Sequence, residues 1–233
     1  MVNGQPFGNA YESPQSAEGS THVAALDKVA ASSTTRKLSA PPTVPNVAWF
    51  ESGTFDLSSS AGATYGHWPN SVQGGSNAAF CCGYMSEVSQ SGHGADSVVR
   101  ALHGEWRDNI DFGDIINTLA FTICSVTRYT GGVSKRILTS GYAGNRNWLH
   151  GHWEGKAGLA YYGGFKTAKD VTNVDPITDW VVMCGTNAES QLKLVNGATK
   201  GTATGGQGGV KLAVNSGRFA PTENSDFVIS SGY

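Results

Sequence analysis

Lys193-Leu194-Val195-Asn196-Gly197-Ala198-Thr199 is the stretch whose reading decides the fold class. Asn-Gly is suited to the two positive-φ positions of a type I′ turn, whose twist matches that of two flanking antiparallel strands. The apolar residues on either side alternate with polar ones, as strands that bury one face do. A hairpin is therefore expected here, and with it an antiparallel sheet.

Working outward, the same grammar extends over most of the chain. Short apolar or period-two runs broken by Gly and Asn predict strands at 47–50, 97–102, 119–129, 136–139, 147–153, 158–162, 180–185, 192–195, 210–214 and 227–230. No segment after residue 45 sustains a helical period. About ten antiparallel strands in a chain of 233 residues make a two-sheet sandwich or a closed barrel. The longest uncharged stretch, Ile115 to Thr127, spans 13 residues and is too short to cross a bilayer as a helix, so it reads as buried strand.

Residues 1–45 have a different composition. Ser, Ala, Pro, Gly and Glu dominate, large apolar side chains are few, and the segment ends in Ala40-Pro41-Pro42-Thr43-Val44-Pro45-Asn46. Such a segment cannot bury enough surface to offset its ordering entropy. The expectation is a flexible or extended arm, with one marginal helix over 22–31 and with Pro41, Pro42 and Pro45 as residues that dock on a partner. The sandwich then occupies 46–233.

Charge excludes several partners. With 16 basic and 18 acidic residues the chain is nearly neutral, and it lacks the electrostatic footprint that nucleic acid or an anionic membrane requires. The start Met1-Val2-Asn3-Gly4-Gln5-Pro6 has neither a basic nor an apolar leader region. An extracellular or lumenal location is the expectation, with its targeting segment outside this sequence. Of four cysteines, Cys124 and Cys184 fall in predicted strands that can face each other, with buried thiols as the alternative; Cys81 and Cys82 are adjacent, where an ordinary bridge is strained.

Ile177-Thr178-Asp179-Trp180-Val181-Val182-Met183-Cys184-Gly185-Thr186, a polar gap, and Leu192 to Gly197 resemble the signature of laminin-G-like domains of the concanavalin A-like superfamily. There a Trp opens a strand, and an apolar-x-apolar-x-Asn/Asp-Gly hairpin follows. Asn147 to Trp153, Gly158 to Tyr162 and Phe121 to Tyr129 resemble the central strands of divergent members. This chain departs in having Trp180-Val181 for a common Trp-His pair and in stopping soon after Ser230, as a processed chain would. The resemblance implies an all-β, two-sheet antiparallel jelly-roll sandwich with an extended N-terminal arm. It also implies recognition of a glycan or a protein surface.

His150-x-His152 sets two imidazoles on one strand face, and Glu154 would continue it. Such pairs recur in metal sites, but no third ligand pattern follows, so hydrogen-bonded side chains on a sheet face are the favoured reading and no metal is assigned. No cofactor is expected; loop Asp and Asn oxygens would suit calcium, with no recognisable ligand set. Glucanases of this superfamily carry Glu-x-Asp-x-x-Glu, which does not occur here. The acidic cluster Asp108-Asn109-Ile110-Asp111-Phe112-Gly113-Asp114 reads as a turn approaching a strand rather than a carboxylate pair. Aromatics available to stack on sugars are Trp68, Trp106, Trp148, Trp153, Tyr161 and Tyr162. Trp148, His150, His152, Trp153 and Tyr161 form the candidate ligand-binding set. Trp148 and Trp153 differ in parity and should face opposite ways. The expected function is non-catalytic recognition. The first alternative is a peripheral subunit anchored by its arm to other subunits of a large assembly, and the weaker one a glycoside hydrolase with an atypical carboxylate pair.

Overall fold

The structure is a computed structural model that describes residues 48–57, 66–116, 118–141, 146–216 and 221–232, with the backbone of 59, 60, 63 and 64. The expected arm, its helix and Pro41, Pro42 and Pro45 lie outside the described residues.

The described chain is all β apart from one 3-10 turn at Ser190–Leu192. In chain order the strands are β1 (Ser59–Ser60), β2 (Ala63–Thr64), β3 (His67–Trp68), β4 (Ala78–Cys81), β5 (Ser86–Gly92), β6 (Ala95–Gly104), β7 (Asn109–Ile116) and β8 (Thr122–Tyr129). They continue as β9 (Leu138–Ser140), β10 (Trp148–Trp153), β11 (Lys156–Tyr162), β12 (Val181–Thr186), β13 (Lys193–Val195), β14 (Ala198–Thr199), β15 (Val210–Val214) and β16 (Phe227–Gly232). Apart from the β1–β2 ribbon they form two seven-stranded antiparallel sheets. The front sheet runs β11-β10-β9-β15-β7-β4-β3 and the back sheet β14-β13-β12-β8-β16-β6-β5. The two pack face to face as a β-sandwich.

The hairpin that opens the sequence reading is present. Val195 opposes Ala198, leaving Asn196 at φ +47° and Gly197 at φ +79° as the two turn residues. Lys193 turns inward at its base and is fully buried, its Nζ donating to the carbonyls of Glu189 at 2.6 Å and Ala203 at 2.9 Å. With Lys166 Nζ on the Thr204 carbonyl at 2.9 Å, it ties down the Gly-rich segment 201–209.

Rows of side chains across each sheet build the core. Phe80, Ile110, Val214, Leu138, His150 and Ala160 stand side by side across the inner face of the front sheet. Val181, Thr127, Ile229 and Leu102 form the matching row of the back sheet. Burial of each large apolar side chain contributes about 1.5–3 kcal/mol. One aromatic cluster, Phe121, Trp148 and Tyr162, fills one part of the interior, and Phe50, Phe55, Trp68 and Phe112 fill another.

Two strand expectations are corrected. The acidic cluster is part of β7, because Ile110, Phe112 and Ile116 point inward while Asp111 and Asp114 are exposed. Gly113, at φ +72°, marks the irregular register against β15 that hides this alternation. β5 is an edge strand paired only with β6 and almost wholly polar, so it carries no apolar signal.

Cys124 and Cys184 are directly opposed on β8 and β12 and form a disulfide, and Cys81 and Cys82 are also joined to each other.

Candidate functional site

Strand register brings four connections to one end of the sandwich. Cys81 ends β4 opposite Asn109, which opens β7; Gly104 ends β6 opposite Phe227, which opens β16; Tyr129 ends β8 at the same Phe227; and Val214 ends β15 opposite Leu138, which opens β9. The β4–β5, β6–β7, β8–β9 and β15–β16 connections each pass from one sheet to the other at this end.

Side-chain acceptors and donors fix these loops where main chain cannot pair with main chain. Asp108 is buried in the β6–β7 turn and accepts the amides of Tyr84 at 2.9 Å and Glu105 at 2.7 Å. Burial pushes its carboxyl above the usual range, and the two amides pull part of the way back. Gly83 lies so close to this carboxylate that a Cβ there would overlap Oδ1, which presses the Cys82-Gly83-Tyr84 backbone onto the turn. Asp226 Oδ1 accepts the Trp106 amide at 2.9 Å, Oδ2 accepts the Val133 amide at 2.8 Å, and Asn224 Nδ2 donates to the Trp106 carbonyl at 2.9 Å. Asn215 Nδ2 donates to Glu105 O at 3.1 Å and Ser225 O at 2.7 Å. The main chain of Trp106 is thus clamped through both its N–H and its C=O.

What this frame presents is a cleft of about 400 Å³ lined by Cys82, Trp106, Arg107, Asn109, Asn215 and Asn224, among others. That volume lies in the ~300–1,000 Å³ range of small-molecule sites. Trp106 is half-buried, and the exposed Arg107 guanidinium sits 4.5 Å over its ring. Tyr84, two residues from Cys82, is 78% exposed although its main chain is fixed to Asp108. A large aromatic left in water on an anchored main chain adds little to folding, which points to contact with something else.

The residues singled out from sequence lie elsewhere. Trp148, His150 and His152 are fully buried between the sheets, out of reach of a ligand arriving from solvent, and this removes them from the candidate set. His150 Nδ1 lies 2.7 Å from the Tyr162 hydroxyl and Nε2 lies 3.2 Å from Met183 O, so a neutral ring donates through Nε2 and accepts the Tyr162 O–H at Nδ1. His152 Nδ1 has a long 3.4 Å contact with Thr127 Oγ1, while its Nε2 finds no partner among the described residues. Burial drives His150 down to about 4 and His152 to about 3. Glu154 does not continue their face. It sits with Gly155 in the β10–β11 turn at φ +46° and pairs with Lys135 at 3.8 Å. Trp153 faces outward, opposite to Trp148, and Tyr161 meets it only through Phe165, their ring centroids lying 5.3 and 5.0 Å from that of Phe165.

The other acidic residues are committed locally. Asp111 accepts its own Gly113 amide at 2.8 Å, and Asp114 pairs with Lys211 at 3.7 Å. Among the described residues no three His, Cys, Asp or Glu side chains group closely enough to hold a metal ion, and no helix is long and apolar enough to cross a membrane.

Sequence reasoning named Trp106 only as one available aromatic and left out Tyr84, Arg107 and the Asn residues beside it. The usable signal was local: Trp106-Arg107-Asp108-Asn109 couples an aromatic and a cation to turn-forming Asp and Asn immediately after a strand.

The chain matches no family model and no curated protein. A search of solved structures finds a sialidase of Trypanosoma rangeli in complex with the inhibitor DANA, 11% identical with a TM-score of 0.39 over 79% of this chain; the chain spans 29% of that structure's length.

Proposed function

We propose that this chain is a non-catalytic carbohydrate-recognition sandwich of the laminin-G-like, concanavalin A-like kind, and that it binds its ligand at the loop-end cleft around Trp106. The observation that carries the reading is the clamping of Trp106 by Asp226 and Asn224 beside a cleft that also presents Asn109 and Arg107, with the exposed Tyr84 one loop away. Saccharides are recognised by aromatic faces against their C–H surfaces and by amide and guanidinium groups against their hydroxyls. Pre-ordered aromatics lower the entropy that binding must overcome. The alternation of the chain between two antiparallel sheets and the Asn196-Gly197 hairpin support the superfamily kinship. Two paired disulfides suit an oxidising, extracellular or lumenal setting.

A glycan array probed with the whole chain, followed by calorimetry on the strongest ligand, tests this. Binding that W106A abolishes and Y84A weakens, with both variants folded as judged by circular dichroism, is the expected result. Silence across the array, together with stoichiometric capture of one protein partner from native material, would replace this reading with an architectural one.

A further inference from the structure

Arg107 is the one charged side chain lining the cleft among the described residues. Four carboxylates belong to the surrounding loops, and none forms an ion pair with it among the described residues. Asp108 and Asp226 accept main-chain amides, Glu223 is bound by Arg136, and Glu105 is exposed but does not line the cleft. The guanidinium carbon lies 4.5 Å over the Trp106 ring, and no ion pair to Arg107 is present among the described residues. Contact with an aromatic face restrains a long side chain that would otherwise have to be ordered on binding. The main chain that carries this ring is itself held at both its N–H and its C=O. The site therefore holds a guanidinium, a planar fork of donors, in no ion pair among the described residues, beside the surface on which a sugar ring would pack. The acceptor that matches such a fork in shape and charge is a carboxylate, held by two parallel N–H···O bonds.

Resting on the carbohydrate reading above, we propose that the saccharide bound at this cleft carries a carboxylate, as a uronic acid does, and that Arg107 is the residue that selects for it. A ring packed along Trp106 places its acidic substituent against the guanidinium, while Asn109 and the neighbouring loops meet its hydroxyls.

The matched probes are pentagalacturonate and its fully methyl-esterified form, which share every ring and differ in charge. Titrated calorimetrically into the whole chain at low salt, the acid is expected to bind at least about tenfold more tightly than the ester, the scale of a charge-assisted pair. That advantage should shrink as ionic strength rises. R107Q is expected to collapse the ratio of acid to ester affinity to about one, whatever it does to the ester itself, whereas R107K retains part of the preference because it keeps the charge but not the fork. Arg107 is exposed, so neither variant should shift the melting temperature, and an unshifted melt shows that lost binding is local. Equal affinities for acid and ester, or an acid preference that survives R107Q, would overturn the assignment. Acid and ester that bind equally, are both lost in W106A and are both indifferent to R107Q would sink the acid assignment while sparing carbohydrate recognition. No saccharide binding of either charge would remove both.

Discussion

The amide of Trp106 and the carboxylate of Asp226 meet at 2.9 Å across 120 residues of chain, and the same carboxylate takes the Val133 amide at 2.8 Å. One side chain therefore holds three connections of the sandwich end together. Asp226→Ala leaves two amides without that acceptor and is expected to lower stability by about 1–3 kcal/mol. Asp226→Asn keeps one acceptor oxygen and should lose less. Urea unfolding of the two variants checks the order. Equal stabilities for wild type and Asp226→Ala would show that the clamp is not needed.

Legibility of the sequence divided along a physical line. Where strands are buried, short apolar or period-two runs are visible, and β6, β10, β11, β12, β15 and β16 carry them; at Asn196-Gly197 turn chemistry fixes even the register. β7 and β5 escaped for opposite reasons. Asp111, Gly113 and Asp114 break the alternation of β7 at an irregular register, and β5 has nothing to bury. The site was less legible than the fold. Trp148, His150 and His152 look like ligand-facing residues because their types are chemically rich, but burial is a property of the opposing sheet, which the local sequence does not contain. Trp106 owes its position to Asp226 and Asn224, more than a hundred residues later.

The two buried imidazoles make stability depend on pH. In the folded chain His150 titrates near 4 and His152 near 3, because burial disfavours the charged ring, whereas an unfolded histidine titrates near 6.5. Below pH 6.5 the unfolded chain takes up protons that the folded chain refuses. The stabilisation is thus complete above that pH and is lost as pH falls towards 4 and 3, by up to about 1.4 kcal/mol per pH unit for each group. His152→Leu removes one of these protons along with a buried nitrogen that has no partner among the described residues. Its stability at pH 7.5 should be close to wild type, and its decline between pH 6.5 and 4 shallower, as followed by scanning calorimetry. An unchanged decline would place the sensitivity elsewhere.

The two disulfides should differ in what their loss does. Cys124–Cys184 closes a loop with a sequence separation of 60 residues, and on a loop-entropy argument it contributes up to about 4 kcal/mol. Cys81–Cys82 closes almost no chain and constrains only the rim of the cleft, where Cys82 holds φ +71°. The double variant Cys124→Ala with Cys184→Ala should shift the urea midpoint strongly. Cys81→Ser with Cys82→Ser should hardly move it, yet should weaken ligand binding. A matching loss of stability in both would mean that the rim bridge serves the fold rather than the site.

Trp148 and Trp106 provide the sharpest separation between core and site. Trp148 is fully buried, stacked on Tyr162 at 5.1 Å between centroids and against Phe121 at 6.0 Å, so Trp148→Ala opens a cavity between the sheets. About 3–5 kcal/mol should be lost, a large share of the ~5–15 kcal/mol that holds a domain together. Trp148→Phe retains most of the volume and should remain folded with a smaller loss. Because neither change touches the cleft, a folded Trp148→Phe protein should bind ligand as wild type does. Trp106 is only partly buried, so its replacement by Ala should cost less stability than Trp148→Ala. The Trp106→Ala variant should melt above Trp148→Ala and remain folded, while ligand binding disappears. Paired melting and calorimetric titrations read both axes at once, and binding lost in Trp148→Phe but kept in Trp106→Ala would move the site from the loop end to the inner strands.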